Sequence, residues 1–327
     1  MAIPLQLGFT DYDQTYAKKK TRRQLFLEEM EATVPWDSFL ALIQPVYYKP
    51  TAKGGRPPFP LEVMLRIHLL QQWFTLSDPL MEEMLIDTPC FRRFAGIDMI
   101  EGLIPDETTI LNFRHLLEEH QIAKQILKSV NQSLSEKGVM LKEGTILDAT
   151  IINAPSSTKN KKGERDPEMH SVAKGNQWFF GMRCHIGVDA ASGLVHSVVS
   201  TAANVHELNT AADRIHGEER VIYGDAGHIG IGKRDAFKDC ETEMRIAMKP
   251  GERRLLPATA EGRLLDLIET AKAHFRAKVE HPFRIIKCQF GFRKVYYRGI
   301  NKNDLKLKML FALANLWIMR ERCPCIA

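Results

Sequence analysis

The chain has 327 residues, of which 44% are hydrophobic and 26% are charged, and its formal net charge is +5. These values predict a folded globular core and exclude a disordered chain or a small disulfide scaffold. No stretch approaches the roughly 18 apolar residues of a membrane helix. The start of the chain also lacks the charged and apolar regions of a secretory signal. We therefore expect a cytoplasmic protein that makes no membrane contact.

The first 140 residues carry helical patterns only. Residues 49–60 contain four prolines and two glycines and are expected to form a linker. Asp106 precedes an apolar stripe and is a candidate N-cap. Apolar periodicity predicts helices at about 18–33, 61–74, 79–94, 107–117 and 122–136.

From Gly144 onward the pattern predicts strands. Residues 145–152 form a short apolar, β-branched run that indicates a buried strand, and residues 156–174 form a polar loop. Ser192-Gly193 predicts a hairpin turn between two further strands. The remaining strands are expected at 178–188, 194–201, 220–225 and 244–248, and the remaining helices at 207–216, 234–239 and 264–288, the last kinked by Pro282.

This order of elements is typical of the ribonuclease H-like fold, a mixed sheet with helices packed on it. We therefore predict an α/β protein with two regions. Residues 1–140 would form an all-helical domain, and residues 141–327 would form the mixed-sheet catalytic domain.

Three acidic residues occupy positions where this fold could bring them together. Asp148 lies within the first strand, Asp225 follows a later strand beside glycine, and Glu280 lies on the last helix. Each has an ordinary alternative: Asp148 as a cap or turn residue, Asp225 as a plain turn residue, and Glu280 as a surface partner of Arg276. Taken together, they favour oxygen ligation of two Mg²⁺ or Mn²⁺ ions.

A basic segment surrounds the third acid. Eight Lys or Arg residues lie between Lys272 and Arg298, where Glu280 is the only acid. Such a segment attracts a polyanion, although a solvated helix face is the alternative. Two metal ions about 3.5–4 Å apart can activate the attacking oxygen and stabilise the leaving oxygen of a phosphodiester. Asp148 would bridge them, and Arg276 and Lys287 would neutralise phosphate oxygens.

Zinc-dependent hydrolysis is the main rival chemistry. The eleven histidines form no His-x-x-x-His or His-Glu-x-x-His unit, and the six cysteines form no Cys-x-x-Cys pair. The sequence therefore disfavours a zinc site.

Several motifs together resemble the DDE transposases of bacterial insertion sequences, in the group named for insertion sequence five. The resemblance covers nearly the whole chain. Its blocks include Gly54-Gly55-Arg56-Pro57-Pro58, residues 104–115, Asp148-Ala149-Thr150, residues 166–170, Gly224-Asp225-Ala226-Gly227, and residues 276–287.

The resemblance implies that Asp148, Asp225 and Glu280 are the catalytic and metal-binding triad. The family signature of Tyr, two residues, Arg, three residues, Glu, six residues and Lys is met by Arg276, Glu280 and Lys287. Two positions depart from it. Ala273 stands at the signature's tyrosine, and His228 stands where similar proteins have tyrosine after Asp-Ala-Gly, which we expect to alter DNA contact locally.

The resemblance also implies the partners: the terminal inverted repeats of the element, target DNA and a second copy of the enzyme, in a nucleoid-associated setting. The helical region would bind the repeats, with Arg66 and Arg114 among its basic residues. Trp178 is a candidate for base stacking, with burial in the core as the favoured interpretation. The candidate DNA contacts are Arg56, Lys159, Trp178, Arg276, Arg284 and Lys287.

Two other functions stay open on the sequence. The first is a ribonuclease H-like nuclease that cuts without joining, although about 140 extra helical residues argue against it. The second is a catalytically silent repressor that binds the repeats, although the three intact acids argue against that.

Overall fold

The computed structural model describes residues 19–48, 57–98, 102–161, 163–238 and 241–320. Two compact units are present: one combines residues up to Ile126 with those from Leu316 onward, and the other spans Leu127–Asn315. Most of the expected linker, including Arg56, lies outside the described residues. The functional division at residue 140 stays a prediction.

The first unit is helical, as the sequence predicts. Residues 79–94 form two helices instead of one, because the chain is extended at Thr88 and Pro89 begins a new helix. Asp106 is the expected N-cap, and its Oδ1 accepts from the Thr109 amide at 2.7 Å. The helices before the sheet are α1 Arg22–Thr33, α2 Trp36–Ile43, α3 Leu61–Phe74, α4 Asp78–Asp87, α5 Pro89–Ala95, α6 Glu107–Glu119 and α7 Ile122–Glu136.

Two arginines of this unit are committed to internal ion pairs. Arg114 is buried and donates to Asp78 at 2.9 Å and to Glu118 at 2.8 Å. Arg66 donates to Glu31 and Glu62, and its guanidinium lies 4.2 Å from the centre of the Trp36 ring. These two basic residues therefore lend little support to DNA binding by the helical region, because their charges are already neutralised inside the unit.

The second unit contains a mixed sheet. β1 runs antiparallel to β3 and parallel to β5, β5 runs parallel to β6, and β3 also pairs with β2 and β4. The strand β2 lies where a loop was expected. Most of its side chains are exposed, so its sequence has no alternation of apolar and polar residues that would predict a strand. The strands are β1 Gly144–Asn153, β2 His170–Lys174, β3 Gln177–Asp189, β4 Val195–Ala202, β5 Val221–Gly224 and β6 Glu243–Ile246.

The two short helices predicted at 207–216 and 234–239 lie where helical turns occur, but these turns are 3₁₀ instead of α. Short 3₁₀ turns, Glu207–Thr210, Ala212–Arg214 and Asp235–Phe237, replace the two expected helices. The remaining helices are α8 Pro250–Arg254, α9 Ala260–Arg276, α10 Glu280–Arg284 and α11 Ile300–Met319.

The segment expected as one long helix consists of four consecutive helical pieces. Between α9 and α10 lies a 3₁₀ turn, Ala277–Val279, and after α10 comes a π-helix, Ile285–Gln289. The 3₁₀ turn contains Lys278, the residue four before Pro282, whose carbonyl the proline ring would clash with in a regular helix, so the interruption lies where the expected kink acts.

One core cluster supports the strands that carry the candidate site. Leu147 and Ile222 pack with Ala211, Ile231 and Phe237, all essentially buried. This cluster fixes β1 and β5 against the 3₁₀ turns that follow β4 and β5, and it thereby sets the position of their polar ends. No helix in the described part of the chain is long and apolar enough to cross a membrane.

Candidate active site

Asp148 lies within β1, directly opposite Ile186 of β3. Its Oδ1 accepts from the backbone amide of Ala149 at 2.7 Å. Burial raises the pKa of Asp148 to about 6, and the nearby negative charges of Asp225 and Glu207 act in the same direction, while Arg276 opposes them. The structure therefore places Asp148 beside two other acids in a poorly hydrated position.

Asp225 directly follows β5 and caps the 3₁₀ turn Ala226–His228. Its Oδ1 accepts from the Gly227 amide at 3.0 Å and lies 2.8 Å from Nδ1 of His228. Burial opposes its ionisation, but the hydrogen bond from His228, together with the charge of Arg276, lowers the pKa of Asp225. Both donors use Oδ1, so Oδ2 is the oxygen left to face a ligand.

His228 is fully buried and cannot face DNA, which overturns the expectation of an altered DNA contact there. Its Nε2 lies 3.3 Å from Nη2 of Arg214, and a guanidinium only donates. The imidazole proton is therefore on Nδ1, where it is donated to Asp225. His228 thus orients Asp225 from behind.

Arg214 connects the elements around this site. It is wholly buried and donates to the backbone carbonyls of Thr210 at 3.1 Å, Glu207 at 2.8 Å and Asp148 at 3.3 Å. Burial lowers the pKa of Arg214 to about 10, while the charges of Glu207, Asp148 and Asp225 oppose that effect. Arg214 is therefore a buried positive charge that ties the turn after β4 to β1.

Glu207 is an acid that the sequence reasoning missed. Among the described residues, one group of potential metal ligands has its ligand atoms all within 4.8 Å of one another, and it consists of Glu207, Asp225 and His228. The signal in the sequence is slight, because Glu207 is the first residue of a stretch, 207–216, whose pattern predicts an ordinary helix.

The helical segment that carries Glu280 is anchored to both strands of the site. At its start, the Phe275 ring stacks on Tyr223 of β5, with ring centres 5.0 Å apart and an angle of 18° between the planes. At its end, Nζ of Lys287 donates to Thr150 Oγ1 and to the Ile151 carbonyl of β1. Thr150 lies two residues beyond Asp148 and on the same face of the strand.

Glu280 itself is exposed at the first position of α10. Burial lowers the pKa of Lys287, and the negative charge of Glu280 partly opposes that shift. Arg276 lies one turn earlier and is close enough to influence both Asp148 and Asp225. Nε of Arg276 is buried and has no hydrogen-bond partner among the described residues. The segment thus brings Arg276 beside the two aspartates, whereas Glu280 is not part of the described group whose ligand atoms lie within 4.8 Å of one another.

The candidate DNA contacts differ in their exposure. Lys159 and Arg284 are exposed. Trp178 is 77% exposed near the start of β3, so the favoured interpretation of a core tryptophan is wrong. Its backbone pairs with Ala173 in an edge hairpin whose side chains are mostly exposed.

The mixed sheet with acids on β1 and after β5, and with an acid-bearing helical segment packed beside them, defines a ribonuclease H-like DDE domain. Comparison with known families agrees: residues 14–116 match the transposase domain (DUF772), and residues 140–316 match the transposase DDE domain. No solved structure matches the chain. The DDE match covers more than half of the chain. The protein belongs to the DDE-domain transposase family and is therefore a DNA-binding enzyme that uses divalent metal ions.

The residues present fit a hard divalent cation. Asp148, Asp225 and Glu207 offer carboxylate oxygens, the donors that Mg²⁺ and Mn²⁺ prefer. Oε2 of Glu207 is buried and has no hydrogen-bond partner among the described residues. A buried carboxylate oxygen without a donor is unfavourable unless a cation balances it.

Proposed function

We propose that Asp148, Asp225 and Glu280 hold two Mg²⁺ or Mn²⁺ ions and that the enzyme cleaves and joins DNA at the terminal inverted repeats of an insertion sequence, in the group named for insertion sequence five. One observation carries this assignment: the segment bearing Glu280 is anchored to β5 two residues before Asp225 and to β1 two residues beyond Asp148. This anchoring supports the approach of the third acid to the other two.

In this proposal, Asp148 would take the bridging role, because the charges of both Asp225 and Glu207 act on it. When bound, the metal ions supply activation of the attacking oxygen and stabilisation of the leaving oxygen. His228 keeps Oδ1 of Asp225 hydrogen-bonded, so that Oδ2 points to the reacting groups. Arg276 supplies a positive charge beside the two aspartates, where it can bind a nonbridging phosphate oxygen.

Lys287 has a different role from the one predicted. Its ammonium is bound to β1, so it positions the Glu280 segment instead of reaching outward for DNA. The π-helix that contains Lys287 supports this role, because π-turns re-aim side chains and are frequent at functional sites.

DNA would be held by residues outside this centre. Arg284 and Lys159 are exposed cations suited to phosphate contact, and exposed Trp178 is suited to stacking on an unpaired base. We assign recognition of the inverted repeats to the helical region 1–140 and catalysis to 141–327. Joining two element ends to a target requires at least a homodimer on DNA.

The test is a cleavage and joining assay on duplexes carrying the inverted repeat that flanks the gene. We expect Asp148→Asn, Asp225→Asn and Glu280→Gln each to abolish Mg²⁺-dependent cleavage and to retain repeat binding in a gel-shift assay. Glu261→Gln, an equivalent change at an exposed site on α9, should cut normally.

Three results would contradict the proposal. Normal cleavage by any one of the three variants removes that residue from the catalytic site. Cleavage by the unaltered enzyme without transfer of the 3′ hydroxyl into a target identifies a nuclease instead of a transposase, and repeat binding without any metal-dependent cleavage identifies a silent repressor.

A further inference from the structure

We propose that Glu207 is a fourth acidic residue of the metal centre and that it shares a divalent ion with Asp225. This inference rests on the proposed function of the site and adds a ligand to it. Glu207 opens the 3₁₀ turn after β4, and its ligand atom lies within 4.8 Å of those of Asp225 and His228.

The two oxygens of Glu207 have different surroundings. Oε1 lies 3.4 Å from Nη1 of Arg183, a long ion pair. Oε2 is buried and has no hydrogen-bond partner among the described residues, and Nδ1 of His228 lies 3.8 Å away. Because Nδ1 already donates to Asp225 at 2.8 Å, it does not satisfy Oε2. A cation between the two carboxylates would satisfy it.

His228 is excluded as the ligand that completes this group. Both of its nitrogens are engaged, Nδ1 with Asp225 and Nε2 with Arg214. The two carboxylates are therefore the oxygen donors available to an ion, and the histidine orients one of them. This is the arrangement in which a hydrogen-bonding neighbour fixes a metal ligand.

The backbone keeps space open between the two acids. A Cβ added at Gly227 would lie 3.0 Å from Oδ1 of Asp225 and 3.3 Å from Oε2 of Glu207. A side chain at this position would therefore crowd both carboxylates at once. The glycine of the Asp-Ala-Gly turn therefore leaves room beside both oxygens.

Glu207 is also held in a fixed relation to the first acid. The same guanidinium, that of Arg214, donates to the carbonyls of Glu207 and Asp148. The turn that carries Glu207 therefore cannot shift without disturbing β1. A residue so constrained is preorganised, which lowers the entropic cost of binding an ion.

The test measures Mn²⁺ binding to the full chain without DNA, by electron paramagnetic resonance and isothermal titration calorimetry. Glu207→Gln keeps an oxygen for Arg183 but removes the charge, and we expect it to weaken Mn²⁺ binding roughly tenfold or more. Glu218→Gln, the same change at an exposed site nearby, should bind Mn²⁺ normally. Gly227→Ala should weaken binding as well, and Asp225→Asn gives the loss expected for a ligand of the proposed metal centre.

The outcomes separate this inference from the proposal on which it rests. If Asp225→Asn and Asp148→Asn weaken Mn²⁺ binding while Glu207→Gln only lowers the melting temperature, Glu207 is a structural partner of Arg183 and the inference fails. If all three variants bind Mn²⁺ like the unaltered protein, the proposed metal centre itself is wrong. Weakened binding by Glu207→Gln with an unchanged melting temperature supports the inference.

Discussion

Replacing Asp148 with asparagine should abolish catalysis and yet stabilise the metal-free protein. Burial, reinforced by the charges of Asp225 and Glu207, raises the pKa of Asp148 from 3.8 to about 6. At about 1.4 kcal/mol for each pKa unit, the ionised carboxylate costs the folded state about 3 kcal/mol at neutral pH. Asparagine keeps an oxygen for the Ala149 amide and carries no charge, so we expect a gain of roughly 1–3 kcal/mol.

The size of this effect depends on pH. Because the folded pKa of Asp148 is raised, the stability that its protonated form contributes is complete below pH 3.8 and is lost as the pH rises through about 6. The variant and the unaltered protein should therefore differ little near pH 4. The full difference should be present above about pH 6.

Urea unfolding in excess chelator, at several pH values between 4 and 8, measures this difference. Asp225→Asn is the matched control with the opposite sign, because the pKa of Asp225 is lowered and its charge therefore stabilises the folded state above pH 3.8. Added Mg²⁺ should stabilise the unaltered protein more than Asp148→Asn. A destabilised Asp148→Asn at pH 7.5, or a difference independent of pH, would refute the reasoning.

Three further substitutions test the supporting residues. Arg214→Met leaves three backbone carbonyls without their donor and should lower the free energy of unfolding by about 3 kcal/mol or more. The same change at exposed Arg220 is the control. A loss of less than about 1 kcal/mol for Arg214→Met would contradict its proposed role. Lys287→Met should reduce cleavage equally at low and high salt, because it positions Glu280, whereas a defect confined to high salt would assign it to DNA. Arg284→Met should instead weaken DNA binding and reduce the salt slope by about one, and an unchanged slope would remove it from the interface.

The sequence located the carboxylates on their elements because those elements have strong local signals. The β-branched run around Asp148 forms β1, the apolar run before Asp225 forms β5, and the periodic stretch over Leu61–Phe74 forms α3 as expected. A buried strand or an amphipathic helix is specified by neighbouring residues. The chain positions of these candidate ligands could therefore be derived without a structure.

What the sequence could not give depends on distant contacts. Glu207 lies in a segment that reads as a helix, and its burial beside Asp225 depends on Arg214, which binds a carbonyl of β1 66 residues away. Trp178 looked like a core residue because tryptophan at a strand start usually is one, yet its strand extends past its neighbours into an exposed hairpin. Local pattern carries no information about either arrangement.

The pKa of Asp148 is raised and that of Asp225 is lowered, so the two aspartates contribute differently to metal binding and to stability. Asp225 is stabilised as the anion by His228 and by the Gly227 amide, so it can attract a cation at any neutral pH. Asp148 carries a charge that the folded protein tolerates poorly, and a cation bound between the two acids removes that cost. Metal binding should therefore depend on both residues while stability depends on them in opposite directions. A purely structural pair of acids, each neutralised by its own arginine, would not produce that combination.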